Sequence, residues 1–195
     1  MRLVAIIGSP RKGGNTDILV SRISAGAASA GAQVETFYLN DMDIRFCQAC
    51  DQCIGAVDDP CVLQDDMQAL HEALRACDAF VVGTPVYWFG PSAQTKTMLD
   101  RFYALQGPDG LAPNGSALNG KRAALAIAYA DADPLSSGAH AVYRMFRDAF
   151  DWVDVKLTGV VHASAGAKGE IAGNQVVLEE AFALGRRLCE GGPPR

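Results

Sequence analysis

Short apolar runs alternate along the chain with longer stretches whose apolar positions recur at helical spacing. "RLVAIIG" (2–8) is an apolar run closed by glycine, the pattern of a strand buried on both faces. From Asn15 to Ala30 the chain is alanine-rich, and Ile18, Leu19 and Ile23 fall on one face of an expected helix. "QVETFYL" (33–39) alternates as a second strand. Asp65 and Asp66 precede Met67, Leu70 and Leu74, so an acidic N-terminus opens the next helix. "DAFVVGTP" (78–85) is a third strand, and Pro91 and Ser92 open a helix carrying Met98, Leu99, Phe102 and Leu105. "RAALAIAYA" (122–130) and "VKLTGVVHA" (155–163) are the fourth and fifth strands, with helices expected over 138–151 and 174–190. Between them, "GPDGLAPNGSALNGK" (107–121) is a loop by composition, and the 191–195 tail is expected to fray.

Five strands alternating with five helices predict an α/β fold, a parallel sheet with helices on both faces, in one domain over 1–195. Charge narrows the partners: 17 basic residues against 22 acidic ones give −5, and no basic run is interleaved with aromatics, so nucleic acid is not expected. No apolar run reaches membrane-span length, and too few apolar residues precede Gly8 for a signal-peptide core. The expected location is cytoplasmic, with no membrane partner. Thiols stay reduced there, which moves the six cysteines away from a disulfide framework and toward metal or redox chemistry.

In a parallel α/β sheet, ligands bind beyond the carboxyl ends of the strands, so loops 8–16, 84–92 and 129–138 form one expected surface. "GSPRKGGNT" (8–16) offers hydroxyls, exposed backbone N–H groups, a helix N-terminus and the cations Arg11 and Lys12, which together suit a phosphate. Gly14 stands where a P-loop needs lysine, and no G-x-G-x-x-G is present. The bland alternative is a βα turn capped by Asn15 or Thr16, with Lys12 a solvated charge. In "TPVYWFGPSAQTK" (84–96), Tyr87, Trp88 and Phe89 are consecutive and cannot all face one core. They suit a flat conjugated ring, an oligomer interface or a capped sheet edge.

"GSPRKGGNT", "DDM" (65–67), "GTPVYWFGPSAQTKTMLDR" (83–101) and "GAKGEIAGN" (166–174), in this order, resemble the NAD(P)H-dependent FMN reductase family of flavodoxin-like proteins. The resemblance implies a three-layer sandwich with a five-stranded parallel sheet of order 2-1-3-4-5. It implies bound FMN, hydride from NADH or NADPH, and electrons passed to flavin, quinone or a protein acceptor. By residue, Ser9, Arg11, Gly14, Asn15 and Thr16 match the phosphate-binding positions. Pro85, Val86, Tyr87, Trp88, Phe89 and Gly90 match the segment that lies against the isoalloxazine. Tyr129, Ala130 and Asp131 would add flavin contacts, although "YADADPLSSGA" (129–139) departs from the glycine-rich loop of relatives. A homodimer or homotetramer is also implied. Flavin accepts hydride itself, so no catalytic residue is assigned. His71, His140 and His162 read as structural, Asp65–Asp66 as a helix cap, and Asp131 and Asp133 as solvated loop charge.

"FCQACDQCIGAVDDPC" (46–61) places Cys47, Cys50, Cys53 and Cys61 in a C-x2-C-x2-C-x7-C array, with Gly55 and Pro60 available to turn the chain back. The first three spacings are those of bacterial ferredoxins. The array resembles the iron–sulfur flavoprotein branch, which implies a [4Fe–4S] cluster relaying single electrons to a ferredoxin-like partner. Zinc, a reversible disulfide, and cysteines that bind no metal remain open alternatives. Cys77 and Cys189 lie outside the array and read as ordinary buried thiols. Two further readings stand beside the enzyme: an FMN/iron–sulfur electron carrier without a nicotinamide site, and a thiol-based redox sensor.

Overall fold

The computed structural model describes residues 1–54, 61–106 and 115–190. The turn at Gly55 and Pro60, part of the 107–121 loop and the 191–195 tail lie outside the described residues. The chain runs β1 (Arg2–Ile7), α1 (Asn15–Ser29), β2 (Gln33–Tyr38), α2 (Met67–Ala76), β3 (Ala79–Tyr87), β4 (Gly90–Pro91), α3 (Ala93–Arg101), β5 (Arg122–Tyr129), α4 (Ala139–Trp152), β6 (Lys156–Ser164) and α5 (Gln175–Cys189). The five long strands are parallel, in the order β2-β1-β3-β5-β6, and this is the flavodoxin-like arrangement expected above. The added element is β4, two residues paired antiparallel to the end of β3 through Val86–Pro91 and Tyr87–Gly90. Two residues carry no periodicity, so no hydrophobic pattern announced it.

Side-chain alternation on each strand builds two cores, one per sheet face. Val4 and Ile6 of β1, with Phe80 and Val82 of β3, join Met67, Leu70 and Leu74 of α2 and Phe146 and Phe150 of α4. Leu3, Ala5 and Ile7, with Ala79 and Val81, pack against Leu19, Val20 and Ile23 of α1 and Ala181, Leu184 and Leu188 of α5. The central strands are apolar on both faces because helices cover both, which is why they read as continuous runs rather than alternations.

The strand ends are locked before any ligand is considered. Gly8 N–H donates to the Gly83 carbonyl at 2.8 Å, joining the exits of β1 and β3. A Cβ on Gly8 would lie 1.8 Å from Thr95 Oγ1, so only glycine permits this approach. Ser92 caps α3, accepting from Thr95 N–H at 3.4 Å, while its own hydroxyl donates to the Gly8 carbonyl at 2.6 Å.

Candidate functional site

A cavity of about 310 Å³ opens at the carboxyl ends of β1, β3 and β5. Ser9, Arg11, Gly14, Asn15 and Thr16 form one wall; Pro85, Val86 and Tyr87 form the second; Tyr129 and Ala130 form the third. Ten of the fourteen positions matched to the cofactor site therefore meet in one place. The electrostatics favour an anion. Among the described residues, Arg11 and Lys168 line the cavity and no carboxylate does. Gly14, the N-cap of α1, supplies no side-chain cap, so the first-turn amides keep their donors for a ligand. Asp17 is turned to other partners, accepting from Gly13 N–H at 2.7 Å and Tyr38 Oη at 3.3 Å.

Four matched positions, Trp88, Phe89, Gly90 and Asp131, do not line the cavity. Trp88 and Phe89 form the two-residue turn between β3 and β4, with φ of 49° and 62°. Both central residues of such a hairpin turn adopt positive φ, which here holds Trp88 at 95% exposure on the rim. Gly138, at φ 89°, is the seat of this turn: a Cβ there would lie 2.5 Å from Phe89 Cα. Lys12 also points away, paired with Asp41 and lying 5.0 Å over the Tyr38 ring.

The loop after β6 was the unforeseen wall. Ala165, Gly166 and Lys168 line the cavity. Asn15 holds that loop, its Nδ2 donating to the Ala167 carbonyl at 2.8 Å and its Oδ1 accepting from Ile171 N–H at 3.2 Å. The Asn15 carboxamide is thus occupied as a strut, and its backbone N–H is what it offers the cavity. The sequence signal for this wall is "GAKGEIAGN", whose glycines leave the backbone free to approach the other three loops. Tyr129 closes the far side, buried, with its hydroxyl 3.0 Å from His162 Nδ1. Asp133 organises its own turn, accepting from Leu135 N–H at 3.0 Å and Ser136 N–H at 3.3 Å. A larger open groove of about 520 Å³ runs along α1 and α5 from Gly13 and includes Asp17.

The cysteine segment forms a second cavity. Cys47, Cys50, Cys53 and Cys61 all line it, together with Arg101. All six cysteines are free thiols. Burial, with the neighbouring Cys61, Cys50 and Cys47, pushes the Cys53 thiol up. Ala49 and Asp51 take φ of 49° and 56°, so the backbone between the first three cysteines folds back in left-handed steps. Among the described residues no three His, Cys, Asp or Glu side chains converge on one metal ion. The four thiols line one cavity of about 30 Å³, and their soft donor set is of the kind that either zinc or an iron–sulfur cluster takes. Cys77 is buried, its thiol pushed up to about 11 chiefly by burial, and Cys189 ends α5; neither approaches this cavity.

Beneath it lies a buried ion pair. Arg101 Nη1 meets Asp65 Oδ2 at 2.7 Å and Nη2 meets Oδ1 at 3.1 Å, with both side chains 1% exposed. Burial alone would raise the Asp65 carboxyl; the bonds from Arg101 and from the backbone N–H groups of Arg45 and Met67 overcome it and hold the carboxyl low. The expected Asp65–Asp66 helix cap is therefore divided. Asp65 accepts from Met67 N–H at 3.1 Å while anchoring Arg101, and Asp66, at the N-cap, makes no cap bond and accepts instead from Asp43 N–H at 2.7 Å.

The chain is 34% identical over 106 residues to an iron–sulfur flavoprotein of Methanosarcina thermophila, covering 54% of each. It is 37% identical over 128 residues to an iron–sulfur flavoprotein of Methanocaldococcus jannaschii, covering 66% of this chain and 61% of that one. The chain thus spans about half to three-fifths of the length of these curated relatives. YwqN of Bacillus subtilis, named as an NAD(P)H-dependent FMN-containing oxidoreductase, is 27% identical over 188 residues, covering 96% of this chain and 98% of that one. Among solved structures, an NAD(P)H:quinone oxidoreductase from Methanothermobacter marburgensis superposes with a TM-score of 0.72 at 19% identity over 96% of both chains, a likeness of fold. The family model for NADPH-dependent FMN reductase matches residues 1–186, and the chain belongs to that family.

Proposed function

We propose that this protein is an FMN-dependent oxidoreductase that takes hydride from NADH or NADPH and passes electrons onward. One observation carries the reading: the four-walled cavity joins an uncapped helix N-terminus and two cations, without a carboxylate among the described residues, to an aromatic-edged wall on β3. That combination suits a ligand with an anionic tail and a flat ring. FMN, when bound, supplies a hydride acceptor. Ser9, Arg11 and the α1 amides of Asn15 and Thr16 hold the phosphate; the Gly14 N–H is already given to the Arg11 carbonyl at 2.9 Å, and Gly14 contributes by leaving the helix end open. Pro85, Val86 and Tyr87 orient the ring edge, Tyr129 and Ala130 close the opposite side, and Lys168 adds positive charge. Trp88 and Phe89 stand on the rim and limit what reaches the ring. No side chain is assigned a proton-transfer step. The test is anaerobic mixing of FMN-loaded protein with each nucleotide: bleaching of the flavin band with turnover supports the reading, and a flavin indifferent to both nucleotides contradicts it.

We further infer that Cys47, Cys50, Cys53 and Cys61 hold a [4Fe–4S] cluster, which would supply one-electron transfer beside the two-electron chemistry of flavin. The shared cavity of the four thiols supports this, as does similarity to proteins named iron–sulfur flavoproteins. Cys47 and Cys50 are exposed, within reach of a one-electron protein partner of ferredoxin type. The same exposure favours a second reading, a carrier between redox proteins; fast exchange with ferredoxin and no nucleotide oxidation would select it.

A further inference from the structure

Among the described residues, the four thiols share their cavity with one cation, Arg101, and with two carboxylates, Asp51 and Asp100; both aspartates are exposed and Asp100 is paired with Lys96, whereas Arg101 is among the largest fully buried side chains. A guanidinium has five N–H donors. Nη1 donates to Asp65 and to the Arg45 carbonyl at 2.9 Å, and Nη2 donates to Asp65. Nε is buried and has no partner. The donor set is therefore incomplete beside a cavity lined by four sulfurs; Asp65 does not line that cavity, and the carboxylates that do, Asp51 and Asp100, are exposed and screened by solvent. A buried ion pair is seldom needed for stability, since apolar residues of similar volume often serve as well. Its position beside the thiols calls for another account.

We propose that Arg101 is the positioning residue of the cysteine site, its free N–H face directed to the sulfur of the bound cluster and its charge favouring the reduced form. The proposal rests on the cluster reading above. Four thiolates on a [4Fe–4S] core leave the assembly with net negative charge, and reduction adds one more. A desolvated cation nearer than its own carboxylate therefore stabilises the reduced state more than the oxidised one. The hydrogen bond to the Arg45 carbonyl also ties the strand of chain leading into Cys47 to the same guanidinium.

The test is an anaerobic redox titration of the holoprotein, followed by electron paramagnetic resonance, with iron, sulfide and flavin assayed on each sample. The wild type is compared with the double variant Asp65→Asn/Arg101→Gln, which removes both charges and leaves neither stranded. Arg101→Lys is compared in parallel, since it keeps the ion pair and loses the fork of donors. At a fixed potential the reduced-to-oxidised ratio is expected to fall about tenfold in the double variant, ~59 mV for one electron, and at least about threefold in Arg101→Lys. Should the double variant not fold, Arg101→Lys decides. Loaded variants with an unchanged or raised potential overturn the role of Arg101 alone. A wild type holding flavin but no iron or sulfide overturns the cluster reading, and this proposal with it.

Discussion

Gly138 shows how closely the rim of the proposed flavin cavity is set by single residues. It sits at φ 89°, and Phe89 backbone atoms occupy the space a Cβ would need. Neither side can yield cheaply, because Trp88 and Phe89 already hold positive φ. Gly138→Ala is expected to lower stability by about 1–3 kcal/mol, read as a reduced urea midpoint at unchanged slope. Arg11 tests charge instead of shape. It is exposed, so its pairing with a phosphate is screened, and Arg11→Ala is expected to weaken FMN binding about fivefold, ~1 kcal/mol, by fluorescence titration. Asn15 marks the limit of reading residues from sequence. Its place in "GSPRKGGNT" was legible, but its side chain serves Ala167 and Ile171, more than 150 positions away along the chain. No local spacing encodes such a contact. The same holds for Arg101, whose partner Asp65 is 36 positions distant and reads locally as a helix cap.

At the scale of elements, α3 depends on one hydroxyl. Ser92 Oγ bonds the Gly8 carbonyl at 2.6 Å and Thr95 Oγ1 at 2.9 Å, and it caps Thr95 N–H. Ser92→Ala is expected to cost about 1–3 kcal/mol, and FMN affinity should fall with it because Gly8 begins the phosphate loop. Helix α2 carries a pH dependence. Burial, partly opposed by the Arg101 carbonyl 3.0 Å from Nε2, pulls the His71 imidazole down to about 4. The folded state therefore resists a proton that the unfolded chain accepts at the ordinary histidine value. Above about pH 6.5 this term is constant; from there down to about 4 stability falls, by up to ~3 kcal/mol. Urea melts at pH 7 and pH 5 should separate in the wild type and draw together in His71→Gln. The long strands and helices were legible because each repeats its period over several turns or pleats. The β4 hairpin and the split duties of Asp65 and Asp66 were not, since they arise from tertiary pairing.

Across the whole molecule, one short helix joins the two candidate centres. Helix α3 starts at Ser92 beside the phosphate loop and ends at Arg101 in the cysteine cavity, nine residues or about 14 Å of rigid rise. The described residues of the cysteine segment contribute no strand to the sheet and do not line the proposed flavin cavity. Serine at Cys47 and Cys50 is therefore expected to remove iron while leaving far-ultraviolet circular dichroism and FMN content unchanged. The arrangement of loops around a switch point was legible at this scale, because parallel topology dictates it. The fourth wall, from the loop after β6, required the sheet order in three dimensions. The most direct measurement is anaerobic purification followed by an absorbance spectrum with flavin, iron and acid-labile sulfide assays. The account predicts one FMN and about four irons per chain, with broad absorption beneath the flavin band. A clean flavin spectrum without iron would contradict the two-centre account and leave a simple FMN oxidoreductase.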